Sequence, residues 1–193
     1  MTISLFLPTA GRHVPINDLS LGAFRSAFAA LTAPSLDSLT GDYRAEFVGP
    51  AWLRRFAPPG LAITPLAGWL GKSFDGQGNG INLVRRRGVV QRVLPMRAQW
   101  LPSAVDGRPG VTLTYAPGSP FPFAYVVDEL RTIEADTLLG LSFATVPGLR
   151  HLSMPFLLRR QAGLSAFLGN SPLAGAGLDL TRDMSTPRDE GAL

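Results

Sequence analysis

The sequence predicts a mainly β protein, a single closed antiparallel β-barrel of about eight strands with an N-terminal amphipathic helix. Two observations carry this prediction. Between about residues 41 and 160, short runs rich in branched and aromatic residues alternate with Gly, Pro and Asp turns. Before them, residues 18 to 33 place large apolar side chains at helical spacing. Because a barrel of this size has no free sheet edge and encloses room for one small ligand, a cavity is also expected.

The helix is expected within an N-terminal segment, residues 1–35. Asp18 and Ser20 are the candidate N-caps, and Pro34 ends the helical pattern. Between them, one face of the predicted helix collects the apolar residues Leu21, Phe24, Phe28 and Leu31.

The barrel domain is predicted over residues 36–160. Four prolines interrupt residues 49 to 67, so a short helix and loop are expected after the first strand, where they could form a lid over the barrel mouth. Residues 161–193, rich in Gly, Ala, Ser and Pro, predict a partly ordered C-terminal extension. The strands are expected near residues 41 to 48, 68 to 75, 80 to 87, 89 to 97, 110 to 116, 122 to 133, 137 to 145 and 152 to 160.

Composition narrows the class of protein. The chain has 193 residues, of which 46% are hydrophobic, enough to bury the core of one domain. No apolar run is long enough for a transmembrane helix, and the first residues lack the basic region of a secretory signal, so a cytoplasmic protein without integral membrane contact is expected. The absence of cysteine excludes disulfides and thiolate catalysis.

Charge and motif spacing argue against several partners. The net charge of +4 is modest, and strand alternation would split the basic run Arg85 to Arg87 between two faces, so no nucleic-acid partner is expected. The turn from Asp75 resembles a calcium loop but has Arg86 where a glutamate is required. His13 and His151 have no metal-ligand spacing, and a structural role for His151 is preferred to a pocket role. No metal and no cofactor are predicted.

Lys72 is the only lysine of the chain and stands between Trp69 and Phe74. Two interpretations remain open. In an apolar pocket its pKa would fall, and the amine could attack a carbonyl or bind a carboxylate. Beside a turn, the ammonium would be solvated while the aliphatic stem covers Trp69.

Alternation along residues 121 to 131 predicts which side chains face the cavity. An unbroken strand would place Phe123 and Tyr125 on the same face as Glu129 and Arg131, giving the mixture of rings and charges common in ligand pockets. The alternative is that Glu129 and Arg131 form a structural pair, buried or solvated. Because a register shift of one residue would exchange them for Asp128, the strand register decides which carboxylate lies inside.

Two blocks of residues resemble a known family. Trp69-Leu-Gly-Lys-Ser-Phe74 and the later Asp128-to-Gly140 block resemble the GxWxG-type lipocalin-like proteins of the calycin superfamily, whose function is largely unassigned. Leu130 stands where that family usually has an aromatic residue, and Gly41-Asp-Tyr43 offers the nearest counterpart of the first Gly-x-Trp-x-Gly motif. The resemblance spans about residues 66 to 145. It implies a calycin-like barrel with a hydrophobic cavity and supplies no catalytic residue.

Two main classes of function follow. The first is binding of a small hydrophobic molecule, such as a fatty acid, terpenoid or polyketide, by walls of Trp69, Phe74, Phe123 and Tyr125. Lys72 or Arg131 would orient its polar head. The second is a cofactor-independent isomerase, cyclase or lyase, with Glu129 or Asp128 as general base and Lys72, Arg131 or Tyr125 stabilising negative charge.

The residues leave two further kinds of partner. A homodimer stays open, because a second subunit could cover part of the apolar outer face. A third class, an interaction module that uses residues 154 to 160 and the tail to contact a partner or membrane surface, is less favoured because its basic end is short.

Overall fold

The computed structural model describes residues 3–146 and 153–161. The expectations for His151, for residue 152 of the last predicted strand and for residues 162–193 of the extension lie outside the described residues. No helix in the described ranges is long and apolar enough to cross a membrane.

Eight strands form a closed antiparallel barrel, which confirms the predicted fold class. Seven antiparallel pairings between consecutive strands join β3 through β10, and β10 returns to pair with β3, so both sheet edges are removed. The strands are β3 (Thr40–Phe47), β4 (Trp69–Asp75), β5 (Asn79–Arg86), β6 (Val89–Pro102), β7 (Pro109–Tyr115), β8 (Val126–Glu134), β9 (Thr137–Ala144) and β10 (Ser153–Arg160).

Two helices and one additional hairpin accompany the barrel. Helix α1 (Leu21–Ala30) begins where predicted, and the Ser20 hydroxyl accepts a hydrogen bond of 3.2 Å from the Ala23 amide. Helix α2 (Ala51–Ala62) is the predicted insert between the first two barrel strands. A hairpin of β1 (Ser4–Leu7) and β2 (Arg12–Pro15) was not predicted, because each strand has only four residues.

Apolar residues form two separate cores. The first fills the barrel interior and includes Phe74, Leu130 and Leu158. The second lies outside the barrel, where Phe24 and Phe28 of α1 pack with the outward side chains of β9 and β10. Helix α1 therefore covers the apolar outer surface of these two strands, for which the sequence had left a second subunit as one alternative.

A bulge in β4 places two site residues on the same face of the strand. Trp69 pairs with Val84 and Gly71 with Leu83, so Leu70 is an extra residue. In a regular strand, side chains three positions apart face opposite sides, but the extra residue turns both Trp69 and Lys72 into the barrel. Gly71 permits this geometry, because its φ is +154° and a Cβ there would lie 1.8 Å from the Tyr43 carbonyl oxygen.

A second bulge positions a buried amide in β5. Ile81 pairs with Pro95 and Asn82 with Val93, which leaves Leu94 as the extra residue with a left-handed φ of 50°. The Leu94 carbonyl accepts a hydrogen bond of 3.1 Å from Asn82 Nδ2. Because the amide nitrogen is held in this way, Asn82 Oδ1 is fixed as an acceptor toward the barrel interior.

Candidate functional site

A cavity of about 380 Å³ lies inside the barrel at the end covered by α2. This volume falls within the range of small-molecule sites. Its walls are mostly apolar and aromatic, while Trp52, Phe56 and Met154 are also exposed to solvent, so the cavity opens at this end. The apolar lining includes Phe47, Leu53, Leu61, Trp69, Phe123, Val126 and Phe156.

Four polar side chains from four different strands meet in the barrel interior: Lys72, Asn82, Tyr115 and Asp128, here called the Lys72 cluster. All four are buried, and Lys72 is only 1% exposed. Lys72, Tyr115 and Asp128 line the cavity, with Ser142 opposite Asp128 on β9. The cluster is thus a polar patch in an otherwise apolar pocket.

Lys72 uses all three of its ammonium protons within this cluster. Nζ lies 2.9 Å from Asp128 Oδ2 and donates to Asn82 Oδ1 and Tyr115 Oη, each at 3.1 Å. Met96 Sδ, a weak acceptor, lies 3.7 Å from Nζ. The ammonium also lies 5.6 Å from the centroid of the Trp69 ring, a cation–π distance. Lys72 therefore has no proton left for a ligand in this arrangement.

The pKa of Lys72 is raised, contrary to the expectation of a depressed value. Burial alone would lower it by disfavouring the ammonium, but the negative charge of Asp128 and the hydrogen bonds to Asp128 and Tyr115 outweigh burial. Lys72 is accordingly a cation at neutral pH. A neutral amine nucleophile is not available without first separating the pair.

Tyr115 joins the two charged groups as a neutral phenol. Burial and the nearby Asp128 charge raise the pKa of Tyr115. Its hydroxyl donates to Asp128 Oδ2 at 3.3 Å and accepts from Lys72 and, at 3.4 Å, from Asn82 Nδ2. Both bonds to Asp128 therefore fall on Oδ2, and no described residue hydrogen-bonds Oδ1.

The structure brings together four of the predicted site residues. Trp69, Lys72, Phe123 and Asp128 line the cavity, and Trp69 Nε1 donates to Asn82 Oδ1 at 3.1 Å. Phe74 lies in the barrel core but packs edge-on against Tyr43 instead of lining the cavity.

Tyr125 and the face of β8 that carries Glu129 and Arg131 do not lie in the cavity. Tyr125 is exposed, and Glu129 and Arg131 contact Ala104 and Phe28 outside the barrel, so the face that carries them does not line the cavity. The reason is a single helical turn, Phe123–Tyr125, which interrupts the alternation before β8 begins at Val126.

Glu129 and Arg131 hold outer elements together. Glu129 accepts hydrogen bonds from the Ser103 hydroxyl and the Ala104 amide in the β6–β7 connection. Arg131 lies 3.4 Å from Asp106 and stacks 5.2 Å from the Phe28 ring of α1. Their geometry supports a structural role for Glu129 and Arg131, which the sequence left open. The two residues do not pair with each other, however, but with the residues named above.

Sequence reasoning missed Asn82 as a site residue and gave Tyr115 no role in the pocket. Alternation could have found both. Tyr115 continues the buried positions Val111 and Leu113 of β7, and Asn82 is an amide within a strongly apolar strand. Within the described ranges, no group of three His, Cys, Asp or Glu residues could hold a metal ion.

The closed eight-stranded antiparallel barrel fits a calycin-like fold. No protein-family model and no curated protein sequence matches the chain. A solved structure, described as a protein from Thermomonospora curvata, is similar with a TM-score of 0.58 and 17% sequence identity. The similarity covers 75% of this chain and 89% of that one. At this identity, the comparison supports the fold and nothing further.

Proposed function

We propose that this protein binds a small hydrophobic molecule in the barrel cavity. The observation that carries the proposal is an apolar cavity of about 380 Å³ with few polar groups, of which Lys72, Tyr115 and Asp128 are buried and contact one another. Apolar walls supply binding free energy, and a small number of fixed polar groups orient the ligand. The resemblance of residues 69 to 74 to the GxWxG-type lipocalin-like proteins supports the same class of function. Fatty acids, terpenoids and polyketides are the candidate chemical classes.

Native mass spectrometry of protein purified from its source tests the proposal. We expect a hydrophobic species that remains bound under gentle conditions and is released intact on denaturation. For recombinant protein, the neutral fluorescent probe N-phenyl-1-naphthylamine should bind with increased emission.

A cavity-filling variant provides the structural control for probe binding. Val126→Phe places a larger side chain in the cavity wall and should weaken probe binding at least about tenfold, since overlap with a packed ring costs more than 1.4 kcal/mol. Leu101→Phe introduces the same ring at an exposed position near the other end of β6, away from the cavity mouth, and should bind the probe like the unchanged protein. Equal probe affinity of the two variants would contradict the proposed site.

A second candidate is a cofactor-independent isomerase, cyclase or lyase that uses the same cavity. It is favoured by one observation, a carboxylate that faces an apolar space, because Asp128 could accept a proton from a bound substrate. An enzyme of this kind would release its product. A protein that carries no ligand from its source, and that converts a supplied hydrophobic substrate in an Asp128-dependent way, would select this candidate.

A further inference from the structure

We propose that the cavity selects uncharged ligands whose polar group is a hydrogen-bond donor, such as a hydroxyl, over carboxylates. This inference rests on the proposed function and names the ligand class of the same site. It would exclude free fatty acids, which are one of the classes considered above, and retain terpenoid and polyketide alcohols.

Charge balance within the cavity is the first argument. Lys72 contributes one positive charge and Asp128 one negative charge, 2.9 Å apart, and both lie among apolar walls. A carboxylate ligand would bring a second negative charge beside Asp128, where little water remains to solvate it. A second negative charge would also compete for a cation whose contacts are already occupied.

Hydrogen-bonding capacity is the second argument. The three protons of Lys72 go to Asn82, Tyr115 and Asp128, and the hydroxyl proton of Tyr115 goes to Asp128 Oδ2. Asp128 Oδ1 receives no hydrogen bond from any described residue, although the Asp128 side chain is 5% exposed. An unpaired acceptor in an apolar space is satisfied by a ligand that donates a proton.

A matched series of ligands with ten-carbon chains tests the inference, with displacement of N-phenyl-1-naphthylamine as the measurement. Decanol donates a hydrogen bond, decyl methyl ether only accepts one, and decanoate is an anion at neutral pH. Decanol should displace the probe at the lowest concentration and decanoate at one at least about tenfold higher. Decyl methyl ether should fall between them.

Neutralising Asp128 should reverse this preference. In Asp128→Asn, Lys72 keeps its charge without a carboxylate partner, so decanoate should gain affinity relative to decanol. Asp42→Asn makes the same change at an exposed position on β3 and should retain the original order. Thermal unfolding of each variant shows whether it folds. If Asp128→Asn does not fold, the relative affinities of the three ligands for the unchanged protein still test the inference.

Two results would overturn the inference in distinguishable ways. If decanoate binds the unchanged protein as tightly as decanol, the charge argument fails while the proposed binding function stands. If neither the probe nor any ligand of the series binds, the proposed function fails and the ligand preference fails with it.

A different observation, the distribution of charge between the two ends of the barrel, carries a second inference. We infer that the rim of the cavity mouth docks on an anionic phospholipid surface. The connections at this end include residues 48–68, 87–88 and 116–125, and neither they nor residues 85–86 and 89–90 of the adjoining strands contain an acidic residue. The exposed Glu46 near the end of β3 is paired with Arg159 at 3.7 Å. The basic residues of these segments are Arg54, Arg55, Arg85, Arg86 and Arg87, all of them exposed.

Large apolar side chains are exposed among these arginines. Ile63 is 92% exposed and Phe121 is 82% exposed, and Val89 is also exposed in the β5–β6 turn region. Arginines beside exposed aromatic and aliphatic residues are typical of proteins that lie at a membrane interface. Aliphatic side chains such as Ile63 and Val89 favour lipid over nucleic acid, since they offer no ring for base stacking.

The opposite end of the barrel has the opposite character. Asp75 ends β4 there and Asp136 lies in the β8–β9 turn, while Arg160 lies 3.2 Å from Asp136 and Arg97 donates to Asn79. This asymmetry would orient the cavity mouth toward a negatively charged surface. A hydrophobic ligand could then pass between the bilayer and the cavity with little exposure to water.

Co-sedimentation with lipid vesicles tests this second inference. Vesicles of phosphatidylcholine and phosphatidylglycerol should bind the protein, and this binding should weaken as the salt concentration increases. Vesicles of phosphatidylcholine alone should bind it weakly. Arg85→Glu should reduce binding at least about fivefold, and Arg97→Glu, at the other end of the barrel, should leave it nearly unchanged.

Replacing the exposed apolar residues provides a separate readout. Ile63→Ser together with Phe121→Ser should weaken vesicle binding without altering probe binding, because neither residue lines the cavity. Failure to bind anionic vesicles would overturn the docking inference. Binding of single-stranded RNA in place of vesicles would also overturn it and assign the basic rim to nucleic acid.

Discussion

At the scale of single residues, Lys72 and Asp128 determine the character of the cavity. Each charge is buried, and each would be costly without its partner. Their pairing leaves the interior electrically neutral while retaining a local dipole. The two residues are thus tied to stability as well as to ligand preference, and the two effects can be separated by comparing single and double variants.

Removing Lys72 alone should destabilise the protein strongly. Lys72→Met leaves Asp128 buried without a cation, and we expect the free energy of unfolding to fall by about 3–5 kcal/mol. The double variant Lys72→Met with Asp128→Leu removes both charges and should recover most of this loss. Urea unfolding measures the difference. Arg92→Met, which removes one partner of an exposed pair with N···O of 3.9 Å, should cost less than about 1 kcal/mol.

The raised pKa of Lys72 predicts an effect of alkaline pH. Because the folded-state pKa lies above the unfolded value, the stabilisation from Lys72 is fully present below the ordinary lysine pKa of 10.5 and is lost as the pH rises through the folded-state pKa. Stability measured across this range should therefore decline more in the unchanged protein than in the double variant lacking both charges. Parallel curves for the two proteins would contradict the assignment.

At the scale of elements, two β-bulges direct polar groups into the barrel that regular strands would direct outward. The β4 bulge brings Trp69 and Lys72 to the same face, and the β6 bulge turns the Leu94 carbonyl toward Asn82. Regular pairing would have placed part of this polar group outside the barrel. Local departures from strand geometry therefore assemble the Lys72 cluster.

Gly71 should be far less tolerant of a side chain than a helical glycine. In Gly71→Ala the new Cβ would meet the Tyr43 carbonyl oxygen, so strands β3 and β4 would have to separate, and we expect a loss above about 3 kcal/mol. Gly22→Ala in α1 meets nothing within 4 Å and should be neutral or stabilising by up to about 1 kcal/mol. Thermal unfolding compares the two, and a similar melting temperature for both would contradict the close approach at Gly71.

The sequence was sufficient to predict all eight barrel strands, because turn residues and apolar runs are local signals. Trp69 and Lys72, which share one short motif, line the cavity, although the sequence left open whether Lys72 would be buried or solvated. The facing of β8 was not predictable by alternation alone, since the helical turn at Phe123–Tyr125 resets the phase before Asp128. Contacts such as Lys72 with Tyr115 join distant strands and depend on barrel closure, which no local pattern specifies.

At the scale of the whole molecule, the barrel wall separates two cores. The interior core surrounds the cavity, whereas α1 and the β1–β2 hairpin complete a second core on the outer side of β9 and β10. The second core has no role in the proposed pocket. It nevertheless covers apolar strand faces that would otherwise be in water.

Phe24 should contribute strongly to stability through this outer core. Its side chain is 0% exposed, and Phe24→Ala should reduce the free energy of unfolding by about 3–5 kcal/mol. Phe6→Ala makes the same truncation at a side chain that is 47% exposed and should cost much less. Urea unfolding, analysed with the same m-value for both variants, compares their free energies of unfolding. Equal losses would indicate that α1 does not complete a core on the barrel.

The closing pair of strands has a consequence for biosynthesis. Because β3 begins at Thr40 and β10 ends at Arg160, the pairing that seals the barrel joins early and late parts of the chain. On the ribosome, the nascent sheet keeps unpaired edges on β3 and β9 until Ser153–Arg160 has emerged. Met154 and Phe156 of that strand also line the cavity. Once this last barrel strand has emerged, the exposed strand edges are paired, so the period of greatest aggregation risk ends and the pocket is complete.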